Sequence, residues 1–284
     1  MSNSSHDVFQ RLSPSARQDV SHVGALIALW REIVAHRWHI SVSFQRELAG
    51  QARLTQLGQL WNYILPLVPI SVYALLMSLR LFPSFGGVSG IVYIAIGVTV
   101  WFYLAGLVRR PMETTEARIR ESGRTGFPLS AATVAGSAQL VFDTGVRLAA
   151  VIILFALFQG VPAWQLVYVP VVALAATLFF LGAGLFLAML NLVYRDVGRV
   201  VAIGLQYGIF LSGVLFPLDR IPALASAMQF NPFYVFIENM RRLATSGSII
   251  HPEALAIFSV LGIVLFLGGA RLFYVLEARF RGLV

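Results

Sequence analysis

Apolar positions fall into six long blocks, at about 60–82, 89–108, 132–158, 164–190, 200–217 and 253–274. Each is close to the roughly 20 residues that carry a helix across a bilayer core. The alternating ten-residue segments of a membrane barrel are absent. The pattern predicts an all-α membrane protein with six spans in residues 59–284. Residues 1–21, rich in Ser, Asn and Gln, are expected to be a disordered tail. Residues 22–58 alternate on a helical period. Leu26, Trp30, Ile33, Val34 and Trp38 form a stripe, with Arg31, Glu32 and Arg37 largely off it. This predicts a cytoplasmic amphipathic interface helix, broken near Ile40–Ser43 and continued by Phe44, Leu48 and Leu57.

The blocks are interrupted most sharply between Leu190 and Leu243. Arg195, Asp196 and Arg199 separate two apolar runs, and the second ends at Pro217. Ile221–Phe230 and Pro232–Leu243 are two short amphipathic pieces split by Asn231-Pro232, an N-cap residue followed by the residue favoured at the first helical position. Each is too short to cross. They predict two re-entrant half-helices, and irregular backbone at membrane depth must be buried in protein or line a wet cavity.

Two further segments depart from simple spans. Arg109-Arg110-Pro111 should stop the second span and open a charged connector over 109–129. Glu113, Glu116, Arg118 and Arg120 there can form a short surface helix laced by pairs such as Glu116–Arg120. The third span has a clean apolar run only over 148–158, so it must reach back through Asp143 and Arg147. Four residues apart with the acid first, these suit an intrahelical ion pair facing the bundle interior.

Composition narrows the chemistry. Of 284 residues, 58% are hydrophobic and 12% charged. There is no cysteine, which excludes thiolate catalysis, disulfides and Cys-ligated metals. All 21 basic residues are Arg. Without lysine the chain cannot build a Walker-A phosphate loop. His36 and His39 lack a third ligand, so no metal site is expected, and no cleavable signal peptide is visible. The net charge of +8 reads as topology bias, not nucleic-acid binding. Arginines crowd the N-terminal region, the 109–124 loop, the Arg195/Arg199 turn and the C-terminal end. The opposite side holds only Arg80, Arg220, Arg241 and Arg242. Both termini are therefore expected in the cytoplasm, with the half-helices outside. A membrane-bound transferase would need clustered acids or a partnered His, and an ion channel would need rings of charge. Neither pattern is present.

Aromatic residues cluster at Trp61 and Tyr63; at Tyr93, Trp101, Phe102 and Tyr103; at Tyr207 and Phe210; and at Phe233 and Tyr234. Those at span ends suit interfacial anchoring. Those facing inward would offer flat apolar faces and hydroxyls along a sugar path.

These features occur in a recognisable order: Leu57-Gly58-Gln59-Leu60-Trp61 with Pro66, Phe127-Pro128, Leu190-Asn191 running to Tyr194-Arg195-Asp196-Val197, Leu205-Gln206, Phe216-Pro217, Ile221-Pro222, and Asn231-Pro232 followed by Glu238 and Arg241. The chain resembles the ABC-2-type permease subunits of polysaccharide ABC exporters, which move O-antigen, capsule or teichoic-acid chains. It departs from them in the N-terminal helix, where Arg31-Glu32 and His36-Arg37-Trp38 are a looser version of the family's charged pairs. The resemblance implies a half-transporter in a bacterial inner membrane. Two copies would form a channel, and two separate ATPase subunits would bind ATP and Mg, with no cofactor in this chain. It further implies that 111–121 is a coupling helix near Arg195 and Asp196. Asn231, Pro232, Glu238 and Arg241 would belong to the exit. A lipid-linked glycan would be the cargo, its phosphates met by Arg37, Arg46, Arg53 and Arg147. An ABC-2-type exporter of a drug or small lipid is the alternative.

Overall fold

The computed structural model describes residues 20–52, 60–79, 87–125, 128–218 and 222–281. Among them every regular element is helical. The chain opens with α1 (His22–Ala35), whose first turn is capped by the Ser21 hydroxyl accepting from the Gly24 N–H at 3.0 Å. α2 (Arg37–Ala52) follows directly. The break falls at His36, four residues earlier than the sequence pattern suggests. There the Glu32 carbonyl accepts both the His36 backbone N–H and a contact from its ring. Ala25 and Leu29 face the protein, while Val23, Ile27, Trp30, Val34 and Trp38 face outward.

α3 (Trp61–Ser78) carries Pro66 and Pro69 within it. α4 (Gly90–Thr125) corrects one expectation: Pro111 does not end the helix, which runs 36 residues and absorbs the charged connector. Proline withholds the N–H that would bond Leu107 and crowds that carbonyl. The Leu107 carbonyl lies against Gly184, in the helix over Val169–Val193, where any Cβ would collide with it. A missing side chain thus makes room for the carbonyl that Pro111 displaces, and packing on both sides carries the helix through.

α5 (Leu129–Phe158) begins with its first N–H donated to the Glu277 carboxylate of α10. A short 3-10 turn, Trp164–Tyr168, leads into α6 (Val169–Val193). α7 (Asp196–Gly208) ends in another 3-10 turn, Ile209–Leu211. α8 (Pro222–Met228), α9 (Pro232–Thr245) and α10 (Pro252–Arg281) complete the fold.

Four stretches are long and apolar enough to cross a membrane: Gly90–Ile119, Leu129–Phe158, Trp164–Val193 and Pro252–Glu277. The remaining two expected spans fall on shorter helices. α3 has an apolar run over Trp61–Val72. α7, with 13 residues, spans about 20 Å against a hydrocarbon core of about 30 Å.

α4 is the central helix, with Tyr93, Ile94, Val98, Trp101 and Leu104 buried. It packs on α5, α6 and α9. α6 and α10 approach most closely, because Gly182 and Gly269 each lie against the backbone of the other helix and a Cβ at either would clash with it. α1 docks on this bundle. Glu32 accepts from the Ser130 hydroxyl at 2.8 Å, and Arg271 Nε donates to the Val20 carbonyl at 2.9 Å.

Candidate functional site

Three polar constellations stand out against the apolar bundle. The first joins the far end of α4 to the α6–α7 turn. Asn191, buried on the last turn of α6, donates from Nδ2 to Glu116 Oε2 at 3.1 Å. Its Oδ1 accepts from the Gly198 N–H at 2.8 Å. Gly198 lies in the first turn of α7, where N–H groups lack partners within the helix. The residue before α7, Arg195, provides no side-chain cap. Asn191 thus caps α7 from seven residues upstream, and the same amide holds α4. A Cβ at Gly198 would meet Asn191 Oδ1 at 2.7 Å. Beside this junction Asp196 and Arg199 form an exposed pair at 3.3 Å, and Arg109 and Glu113 another at 3.2 Å. Arg195 and Arg118 are exposed as well. The side chain of Arg120 lies outside the described residues.

The second constellation sits at the opposite end. Asn231 caps α9, its Oδ1 accepting from Phe233 N–H at 3.0 Å and from Tyr234 N–H at 3.4 Å. Its Nδ2 donates to the Leu211 carbonyl at 2.8 Å, which ties α9 to the end of α7. Pro232 takes the first helical position. About two turns on, Glu238 is bound by Arg241 and by Arg242 Nε, the latter at 2.7 Å. Arg241 is 1% exposed. It also donates to the Gly213 carbonyl at 2.9 Å, and its guanidinium lies 3.6 Å over the Tyr93 ring. The Tyr93 hydroxyl donates to the same carbonyl at 3.0 Å. Gly213 has φ +64°, a left-handed conformation that glycine adopts without strain. That conformation accompanies the carbonyl that receives both donors.

The third lies on α5. Asp143 and Arg147 share a helix face but make no direct bond, contrary to the expected ion pair. Gln139 donates to Asp143 at 2.7 Å. Arg147 Nε donates to the Pro66 carbonyl at 2.9 Å, and its guanidinium lies 5.0 Å from the centre of the Phe102 ring. Pro66 and Pro69 leave the Asn62 and Leu65 carbonyls of α3 without their helical N–H donors. The Pro66 carbonyl beside them receives the Arg147 guanidinium, which competes with closing on Asp143.

The aromatic candidates divide by exposure. Tyr93, Trp101 and Tyr234 are buried in the core. Phe233 is stacked between Trp101 and Phe180, with centroid distances of 4.5 and 4.3 Å. The Tyr103 hydroxyl meets Thr177 Oγ1 at 2.8 Å. Trp61 and Phe102 are half-buried, while Tyr63, Tyr207 and Phe210 are exposed. Among the arginines, Arg37 and Arg46 are exposed, Arg147 is buried and Arg53 lies outside the described residues. Among the described residues no cluster of His, Cys, Asp or Glu suits a metal ion.

Asn191 was named only as part of the motif running to Val197, without its role as a cap, and Gly213 was not named. Nothing local marked the second.

Comparison with known proteins agrees with this architecture. The family model described as ABC-2 type transporter matches residues 39–244, more than half of the chain. An O-antigen export system permease protein RfbA from Klebsiella pneumoniae is 22% identical over 237 residues, covering 83% of this chain and 90% of that protein. A protein of the same name from Myxococcus xanthus is 23% identical over 254 residues, covering 87% and 96%. The chain belongs to the ABC-2 type transporter family of membrane proteins, as a transport subunit and not an enzyme, with ATP hydrolysis carried by a separate subunit.

Proposed function

We propose that this chain is the membrane half of an ATP-driven exporter that moves a lipid-linked glycan of the O-antigen type out of the cytoplasm. The observation that carries this reading is the alignment with O-antigen export permeases over more than four-fifths of both chains. In this reading α3 and α7 complete a set of six spans. Both termini lie in the cytoplasm of a bacterial inner membrane, as the arginine distribution suggests. α8 and α9 are re-entrant on the outer side and shape the exit.

A second copy of the chain closes the path. α7 supports this reading, because Val200, Ile203, Gly204 and Tyr207 form one helical face that is exposed among the described residues. Tyr63, Tyr207 and Phe210 are the exposed rings placed to meet sugar faces. Arg37 and Arg46 are the exposed candidates for the pyrophosphate of the lipid carrier, whose oxygens suit the planar guanidinium fork. Two ATPase subunits, which bind ATP and Mg, dock against the end of α4 over 111–121 and the turn at Arg195 and Asp196. Force applied there reaches α7 through Glu116, Asn191 and Gly198. The permease supplies a path and performs no covalent step.

The test is purification of the tagged chain, expressed with its neighbouring genes, in a gentle detergent. The expected result is a stoichiometric nucleotide-binding subunit, ATPase activity and co-purifying lipid-linked glycan. A complex that hydrolyses ATP but carries a drug-like or small lipid cargo would replace the glycan reading. A chain that purifies alone and inert would remove the exporter reading.

A further inference from the structure

A groove of about 590 Å³ runs between α6 and α10 at the arginine-rich end of the bundle. Its size falls within the roughly 300–1,000 Å³ of ligand-binding clefts. Phe186, Val264, Gly268 and Leu272 give it apolar walls, and His22, Arg271 and Arg279 line it as well. Among the described residues no acidic side chain lines it. Along α10, positions 264, 268, 272, 275 and 279 fall on one helical face. From Val264 to Arg279 that face extends about 22 Å at the ordinary helical rise. This exceeds the roughly 15 Å of hydrocarbon in one leaflet, so it spans acyl region and headgroup region together.

The two ends of the groove differ in a way that suits one class of molecule. At Gly268 a Cβ would meet nothing within 4 Å, so the groove is open at its apolar middle. Next to it, Gly269 is pressed against the Gly182 carbonyl and closes the floor. Toward the end of α10, Arg271 is anchored through Nε by the Val20 carbonyl, which holds the guanidinium at the edge of the groove. Arg279 follows two turns later.

We propose that this groove is a binding site for an anionic phospholipid of the membrane leaflet at this end. Its acyl chains lie along Phe186, Val264, Gly268 and Leu272, and its headgroup phosphate meets Arg271 and Arg279, with His22 beside them. Basic pockets between membrane helices select anionic headgroups in this way, and each arginine near the surface adds about 1 kcal/mol, close to fivefold in affinity. The lipid bridges α6, α10 and the start of α1. It thereby fastens the interface helix to the bundle at a place where protein contacts alone leave a gap. The proposal requires only that the chain is embedded in a bilayer, so it stands apart from the identity of the cargo.

The full-length chain is purified in mild detergent, and phosphatidylglycerol plus cardiolipin per mole of protein is measured by mass spectrometry against the source membrane. The wild type is expected to be enriched in these lipids relative to that membrane. Gly268→Phe fills the middle of the groove from a position where the backbone has room, and should remove the enrichment. Arg279→Gln should lower it about fivefold, because the loss is one surface arginine. This side chain is exposed, so folding is not at stake. Lipid in the wild type that merely mirrors the membrane would overturn the site. So would enrichment that persists in a normally eluting Gly268→Phe protein, or unchanged in Arg279→Gln.

Discussion

Two asparagines start two helices, and the molecule treats those helices differently. Asn231 caps α9 from the adjacent position, inside a sealed cluster where Arg241, Glu238, Tyr93 and the Gly213 carbonyl fix the helix to α4. Asn191 caps α7 from a distance, and among the described residues the only other bond of its side chain is to the exposed carboxylate of Glu116. α9 is over-determined, since removing any single bond leaves others. α7 has no buried residue along its helical length, and its start is placed by one amide. The contrast separates a helix held by several buried contacts from one held by few. The first lies at the end with few arginines. The second lies where the charged extension of α4 meets the α6–α7 turn.

The largest effect should come from breaking the sealed cluster. Arg241→Met leaves Glu238 buried with only Arg242 to balance it. Removing one partner of a buried ion pair costs about 3–5 kcal/mol. Thermal unfolding in detergent, followed by loss of a monodisperse elution peak, should show this as a collapse in yield and midpoint. The double variant Glu238→Gln with Arg241→Met removes both charges and should recover part of the loss. If Arg241→Met alone is silent, the cluster does not fix α9. The next effect is Asn231→Ala, which loses the cap and the bond to the Leu211 carbonyl, together about 2 kcal/mol. The same thermal measurement checks it.

The cap at Asn231 was legible because Asn-Pro is a local signal, and a cap acts on the two or three N–H groups next to it. The burial of Glu238 and Arg241 was not. Their spacing reads as a helical pair, but the receptor for Arg241 is a carbonyl 28 residues upstream and a ring on α4. Pro111 misled for the same reason. A proline stops a helix unless tertiary contacts offset its missing bond, and the deciding contact is Gly184 on another helix. Asp143 and Arg147 have the spacing of an ion pair. What sequence spacing omits is competition, here from the Pro66 carbonyl and from Gln139. Apolar block lengths, by contrast, depend on nothing distant, and four of the six expected spans coincide with helices long enough to cross.

The two smallest expected effects on stability test the sparsely held end. Asn191→Ala should cost about 1 kcal/mol, the value of a cap whose helix is otherwise exposed. Its consequence for transport should be larger than its consequence for folding, because the same substitution disconnects Glu116 from α7. In the purified complex the expected result is ATPase activity retained while cargo movement into the far leaflet of proteoliposomes falls. Asp196→Asn, beside it, removes an exposed ion pair and should leave the unfolding free energy within about 0.5 kcal/mol of wild type. The comparison between these neighbours is the informative one. Both sit at the α6–α7 turn, but Asn191 is buried and Asp196 is exposed to a docking subunit. If Asp196→Asn uncouples transport as fully as Asn191→Ala, the partner's grip on the surface matters and the internal relay does not. If only Asn191→Ala uncouples, force passes from α4 through one amide into α7.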